Sequence, residues 1–257
     1  MDFDLKGKEF IVCGASSGFG QAIAKQLITE GAKIIAIARN EEKLKEFAEA
    51  YGKQVEILMG DITQSKTISQ LRKITESRNL SGILVNASGP PAKSFKETTL
   101  TDWDEAYRQL VRWKVEITQT FLPVFIKQGY GRFLYIESSA VKQPLENLVL
   151  STSLRLSVVG FVKTLSQEIP DKGVTFNILA PGYHYTAAVE RLINKKSETE
   201  KISKKEAKTL LEKSIPMKRT GNVDHFASLA IWLLSPLSNY VTGQVFTIDG
   251  GVVKSTL

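Results

Sequence analysis

An apolar stretch, Phe10-Ile11-Val12-Cys13, runs directly into Gly14-Ala15-Ser16-Ser17-Gly18-Phe19-Gly20 and then into the helical pattern Gln21 to Leu27. No other feature of the chain constrains its fold as strongly. Glycines at a strand-to-helix junction let the backbone turn tightly and let an anionic group approach without a Cβ in the way. The helix that follows offers unpaired N–H groups and the positive end of its dipole to that anion. In this strand–turn–helix context a glycine-rich turn predicts a dinucleotide phosphate site.

Apolar runs predict further strands at 33–38, 55–59, 82–85, 132–136, 174–179 and 244–248. Helical patterns fall between them, at about 40–51, 63–78, 102–127, 148–169 and 223–234, with Pro123 expected to kink or break the third. A charged, weakly amphipathic helical segment covers about 187–213. This alternation predicts an α/β fold, a single domain over 1–257 built on a Rossmann-type doubly wound parallel sheet of about seven strands. Ligands bind such sheets at the carboxyl ends of the strands, where the strand order switches. Gly14–Gly20, Arg39, Asp61, Asn86–Gly89, Ser138 and Pro181–Thr186 all fall at those ends.

The 257 residues, 42% of them hydrophobic, suffice for one large core, and no apolar run reaches the roughly 18 residues of a membrane span. The start of the chain lacks the basic-then-apolar layout of a signal peptide, so a cytoplasmic location is expected. Cys13, the single cysteine, is expected to be an inert core residue. The net charge of +7 comes from lysines mixed with glutamates, as in the seven lysines and four glutamates of 195–213. That pattern argues against nucleic acid and is satisfied by an anionic cofactor or substrate.

The order of these motifs resembles the short-chain dehydrogenase/reductases over nearly the whole chain, and within them the 3-oxoacyl-carrier-protein reductases. Gly14-x3-Gly18-x-Gly20 is similar to that family's glycine motif, with Ser16, Ser17 and Phe19 inside it. Asp61, followed by Ile62, resembles the aspartate at the adenine pocket. Asn86-Ala87-Ser88-Gly89 stands where Asn-Asn-Ala-Gly is usual. Pro181-Gly182 with Thr186 resembles the loop beside the nicotinamide, Ser138 the catalytic serine, and 187–213 the substrate lid. Ala38-Arg39 ends the second predicted strand, where an acid would hydrogen-bond a ribose 2′-hydroxyl. A guanidinium there suits a 2′-phosphate, so NADP is the expected cofactor and NAD the less favoured one. The resemblance implies a small-molecule or acyl-carrier-linked carbonyl substrate, no membrane partner, and a homotetramer or homodimer. The helices at 102–127 and 148–169 are expected to form the subunit interface through Trp113, Phe121, Val158 and Phe161.

The pattern breaks at the chemistry. The family's tyrosine lies 13 residues after its serine and its lysine four further on, which here gives Ser151 and Arg155. The family asparagine position falls on Leu110. A serine hydroxyl is far less acidic than a phenol, and an arginine cannot deprotonate. Arg155 keeps the positive charge and can still hold the nicotinamide ribose. Tyr183, His184 and Tyr185 either supply a substitute proton donor, with Tyr185 the catalytic candidate, or shape the pocket wall. Glu137 is expected to point away from the site, and Lys114 to lie at the surface or an interface. Two readings stay open: an NADP(H)-dependent oxidoreductase with a non-standard proton donor, and an inactive NADP(H)-binding protein with a sensing or assembly role.

Overall fold

A computed structural model describes residues 2–256. Seven parallel strands form one sheet: β1 (Glu9–Cys13), β2 (Lys33–Ala38), β3 (Val55–Met59), β4 (Leu80–Val85), β5 (Gly131–Ile136), β6 (Val174–Pro181) and β7 (Val245–Ile248). Their order across the sheet is β3-β2-β1-β4-β5-β6-β7, so the switch point lies between β1 and β4. Ile11 of β1 faces Ile35 of β2 on one side and Ile83 of β4 on the other. Strands flanked on both faces must be apolar on both, which is why β1, β2 and β4 read as continuous hydrophobic runs.

Side chains alternate across each strand and so divide the core in two. Phe10 and Val12 join a cluster with Ile23 and Leu27 of α1 (Gly18–Thr29), Leu44 and Phe47 of α2 (Glu41–Tyr51), and Phe226 and Ile231 of a helix at Val223–Leu234. Ile11 and Cys13 face the opposite layer, formed by α3 (Ser65–Ile74) and three helical pieces beyond it. α4 (Leu100–Tyr107) passes into a π-helical turn at Arg108–Arg112 and then α5 (Trp113–Gln128), while α6 (Val149–Glu168) packs beside them. The remaining helices are α7 (Ala187–Glu200), α8 (Lys204–Ser214) and α9 (Val223–Leu234).

Several expectations need correcting. The helix expected at 102–127 is interrupted at the π turn, not at Pro123, which lies inside α5. The segment 187–213 is two helices, closed on each other by Val189, Ile193 and Ala207. Trp113, Phe121 and Val158 are fully buried against the sheet and Phe161 is packed against the same cluster, so none of them forms a free apolar face. Helical spacing alone does not tell an inward stripe from an outward one when both faces carry apolar residues.

Candidate active site

The carboxyl ends of β1, β2, β4 and β5 open into a cleft of about 960 Å³. At its floor, Gly14 adopts φ +72°, and a Cβ on Gly20 would stand 2.2 Å from the Gly14 carbonyl oxygen. Only glycine allows α1 to begin this close to the end of β1. Ser17, the residue capping α1, makes no side-chain cap hydrogen bond, and the first turn holds no acid. The N–H groups of that turn therefore remain available where Ser16, Ser17, Gly18 and Phe19 line the cleft. These are the features an anion needs, and the residues fit the pyrophosphate of a dinucleotide.

Asn86 donates from Nδ2 to the Cys13 carbonyl at 3.3 Å, tying the end of β4 to the end of β1, and Ala87, Ser88 and Gly89 continue the wall. Cys13 is wholly buried, which pushes its thiol up to about 12, so it is unreactive as expected. At the β2 end, Arg39 is well exposed and its guanidinium lies 4.0 Å from Asp61, too loose to occupy it. Asp61 accepts hydrogen bonds from the Thr63 N–H at 3.0 Å and the Thr63 hydroxyl at 2.8 Å, shaping the turn after β3 that Ile62 also lines.

The other end of the cleft holds a buried ionic cluster. Arg155 of α6 is buried, and donates from Nε to Ser151 Oγ at 3.1 Å and from Nη1 to Glu137 Oε2 at 2.8 Å. Lys114 of α5 donates to the second oxygen, Oε1, of the same carboxylate. Burial presses the Lys114 ammonium down to about 8, against the opposing pull of Glu137. Both placements correct the sequence expectation. Glu137 shares the face of Tyr135, and that face is covered by α5 and α6, the two helices that carry the site residues. Lys114 begins a buried spacing, with Ile117, Thr118, Phe121 and Phe125 behind it. That i, i+3, i+4, i+7 pattern was the available signal for it.

Ser138 caps a short turn, its Oγ accepting from the Ala140 N–H at 3.2 Å. Of the expected cofactor residues, Gly14, Ser16, Ser17, Gly18, Phe19, Arg39, Asp61, Ile62, Asn86, Ala87, Ser88, Gly89, Arg155 and Thr186 line the cleft. Gly20, Pro181 and Gly182 stand behind the lining; Gly182 is pressed against Asp249, which holds the N–H groups of Gly251 and Val253. Leu110 is buried and offers no polar atom to the site.

The loop after β6 does not deliver its candidates to the cleft. His184 is wedged between the rings of Phe19 and Phe226, at 5.3 and 5.1 Å, and its pKa is lowered by that burial. Tyr185 is exposed, with the Lys208 ammonium 5.3 Å from its ring centre, and Tyr183 packs on the α7–α8 pair. Residues the motifs had not singled out do line the cleft: Arg108, Gln109 and Arg112 from the π turn, and Arg191 from α7. The π turn brings the Gln109 amide onto the Ser88 carbonyl at 3.1 Å, and frees a Gln109 carbonyl that the Trp113 indole takes up at 2.7 Å.

A doubly wound sheet with a glycine cradle at its switch point and a polar cleft running along its strand ends defines a Rossmann-type nucleotide-binding protein. The chain belongs to the short-chain dehydrogenase/reductase family: a family model described as enoyl-(acyl carrier protein) reductase matches residues 14–253. It is 30% identical to dehydrogenase/reductase SDR family member 6 of Xenopus laevis, over 96% of this chain and 98% of that one. It is 28% identical to a 3-oxoacyl-(acyl-carrier-protein) reductase of Aquifex aeolicus, over 98% and 100%. An NADPH-dependent reductase of Bacillus subtilis is 26% identical, over 95% and 97%. The structure of L-sorbose reductase from Gluconobacter frateurii, complexed with NADPH and L-sorbose, superposes with a TM-score of 0.93 at 23% identity, over 99% and 100%. At that identity it establishes the shared fold.

Proposed function

We propose that this protein is an NADP(H)-dependent oxidoreductase that reduces a carbonyl or oxidises an alcohol without a tyrosine as proton donor. The observation that carries this reading is the hydrogen bond to Ser151 Oγ from Nε of Arg155, the residue of the pair that lines the inner end of a glycine-floored cleft. A serine oxygen that accepts from a guanidinium must direct its own O–H elsewhere, and the bond makes that O–H a better donor. Ser138 is in the same situation, accepting from a backbone N–H. Two hydroxyls with loaded oxygens are suited to stabilise a substrate oxygen as charge develops on it.

The bound dinucleotide would supply the hydride. Gly14 to Gly20 and the start of α1 would hold its pyrophosphate, Asp61 and Ile62 its adenine, and Arg39 a 2′-phosphate. Asn86 to Gly89 with Arg155 and Thr186 would hold the nicotinamide half. A relative described as NADPH-dependent, and a fold neighbour solved with NADPH, support the choice of NADP(H). Serine is too weak an acid to release a proton unaided, so the proton is drawn through a water at the two serines and not from Tyr185 or His184. Residues 187–213 act as the lid, placing Arg191 over the cleft. The substrate is a small-molecule or acyl-carrier-linked carbonyl. Assembly as a homodimer or homotetramer draws on Tyr107 of α4 and Leu156 of α6, both well exposed.

A second reading, a nucleotide-binding protein without hydride transfer, is favoured by one observation: Glu137, the carboxylate that lines the cleft beside Arg155, has both oxygens engaged by Lys114 and Arg155, and Ser138 and Ser151 stand behind the lining. Monitoring NADPH absorbance against a broad panel of ketones, aldehydes and 3-oxoacyl thioesters separates the two. Turnover on any of them supports the enzyme; tight NADPH binding with none supports the binding protein.

A further inference from the structure

Lys114, Glu137 and Arg155 are three buried ionisable groups from three elements, joined in one hydrogen-bonded network. Two cations share a single carboxylate, so the network carries one positive charge more than it neutralises. Such an excess is costly inside a protein unless another group answers it. The guanidinium shows where the answer belongs. Nε is taken by Ser151, and Nη1 by Glu137 and the Ile136 carbonyl. Nη2 has no hydrogen-bond partner among the described residues, and lies 2.9 Å from where a Cβ of Gly89 would be. It therefore faces the cleft wall at the Asn86–Gly89 loop.

We propose that Lys114 and Glu137 are positioning residues, which clamp Arg155 and keep one uncompensated positive charge at the inner end of the cleft, so that the site holds the reduced dinucleotide in preference to the oxidised one. This rests on the reading that a dinucleotide lies in the cleft. Arg39 ends β2 and Glu137 follows β5, three strand spacings away, or about 14 Å. The two cationic ends of the cleft are thus separated by the span of an extended dinucleotide, and the Arg155 end receives its nicotinamide half. An oxidised nicotinamide ring is itself a cation and is repelled by the network; a reduced ring is neutral and is not. Lys114 sets this charge, because without it Glu137 and Arg155 cancel.

The groups that face Lys114 are few. Glu137 and Tyr135 approach from β5 and its continuation, Arg155 from α6, and the Trp113 indole from its own helix, at 5.9 Å. Burial raises the Tyr135 phenol, which stays neutral. β4 carries no ionisable side chain, and on the α3 side Ser65 engages Arg112 and Glu116, which also pair with each other. With its ammonium pressed down to about 8, Lys114 is charged at pH 7 and neutral at pH 9.5, which gives a switch that a merely structural lysine would not show.

The test measures dissociation constants for NADPH and NADP⁺ by calorimetry at pH 7 and pH 9.5, on the unmutated protein and on Lys114→Met. In the unmutated protein the preference for NADPH should be roughly three- to tenfold greater at pH 7 than at pH 9.5, the scale of one unit charge across several ångströms at high effective dielectric. Lys114→Met should show the smaller preference at both pH values. An equal preference at the two pH values in the unmutated protein overturns the proposal, even where Lys114→Met does not fold. So does a folded Lys114→Met that keeps the full pH 7 preference. Absence of binding of either nucleotide to the unmutated protein overturns the dinucleotide reading itself, an outcome distinct from tight binding without preference.

Discussion

Arg155 donates from Nε to Ser151 Oγ one helical turn before it, at 3.1 Å, and this bond assigns each residue its part. The guanidinium is held by the helix that carries it, and the serine oxygen, once it accepts, leaves its own O–H to donate elsewhere. Ser151→Ala removes one of two loaded hydroxyls while Ser138 stays, so turnover should fall by roughly tenfold with NADPH affinity little changed. Ser138→Ala with Ser151→Ala together should reach the 10²–10⁴-fold loss of a missing acid–base or oxyanion group. Steady-state kinetics on any accepted carbonyl reads both. A double variant that keeps full activity would remove the serines from the mechanism.

The glycine-floored end of the cleft was legible in the sequence because its requirements are local. Gly14 and Gly20 leave no room for a Cβ, Gly18 sits at φ +55°, and Arg39 follows β2 at a fixed distance from them. The strands were legible because a buried parallel sheet demands continuous apolar runs. What failed to show was the partnership of residues far apart in the chain. Lys114 and Glu137 are 23 residues apart, and each alone has a more ordinary explanation. Only the packing of α5 over the face shared by Tyr135 and Glu137 makes the pair a buried ion network. The loop at Tyr183–Tyr185 misled for the complementary reason: His184 satisfies itself between Phe19 and Phe226, a tertiary fit that adjacency in sequence does not announce.

Arg39 should decide cofactor choice. Its side chain is exposed and only loosely met by Asp61, so it is free for a phosphate. NADPH should bind at least several-fold more tightly than NADH, and Arg39→Ala should erase most of the difference. Because the contact is solvent-exposed, the preference should also shrink between 50 mM and 500 mM salt. Titration of the intrinsic tryptophan fluorescence measures it, and equal affinities in the unmutated protein would contradict the assignment.

Gly20→Ala should damage nucleotide binding before it damages the fold. The new Cβ would stand 2.2 Å from the Gly14 oxygen and 2.7 Å from its carbonyl carbon, both backbone atoms that cannot rotate aside. The turn must shift, which costs about 1–3 kcal/mol of overpacking strain and moves the N–H groups that face the anion. The expected result is a loss of NADPH affinity of tenfold or more, with a cooperative thermal transition a few degrees lower. Unchanged affinity would mean that the α1 terminus does not hold the phosphates.

Stability should depend on the buried ion network with a definite sign. Removing the carboxylate in Glu137→Ala leaves Lys114 and Arg155 buried without their shared anion, a change that typically costs about 3–5 kcal/mol. Lys114 behaves differently, because its folded pKa, about 8, lies below its ordinary 10.5. Between those values the unfolded chain binds the proton and the folded chain has released it, so folding is favoured increasingly as pH rises from about 8 towards 10.5. Below pH 8 both states are protonated, and the cost of the buried ammonium is fully present. Lys114→Met removes the titrating group while keeping an apolar chain of similar length. It should be at least as stable as the unmutated protein at pH 7, and its advantage should narrow by pH 9.5. Urea unfolding at the two pH values reads the difference between the two proteins, which cancels the titration of every other lysine. A constant difference, or one that widens with pH, would show that the ammonium of Lys114 is not held at a disadvantage by its burial.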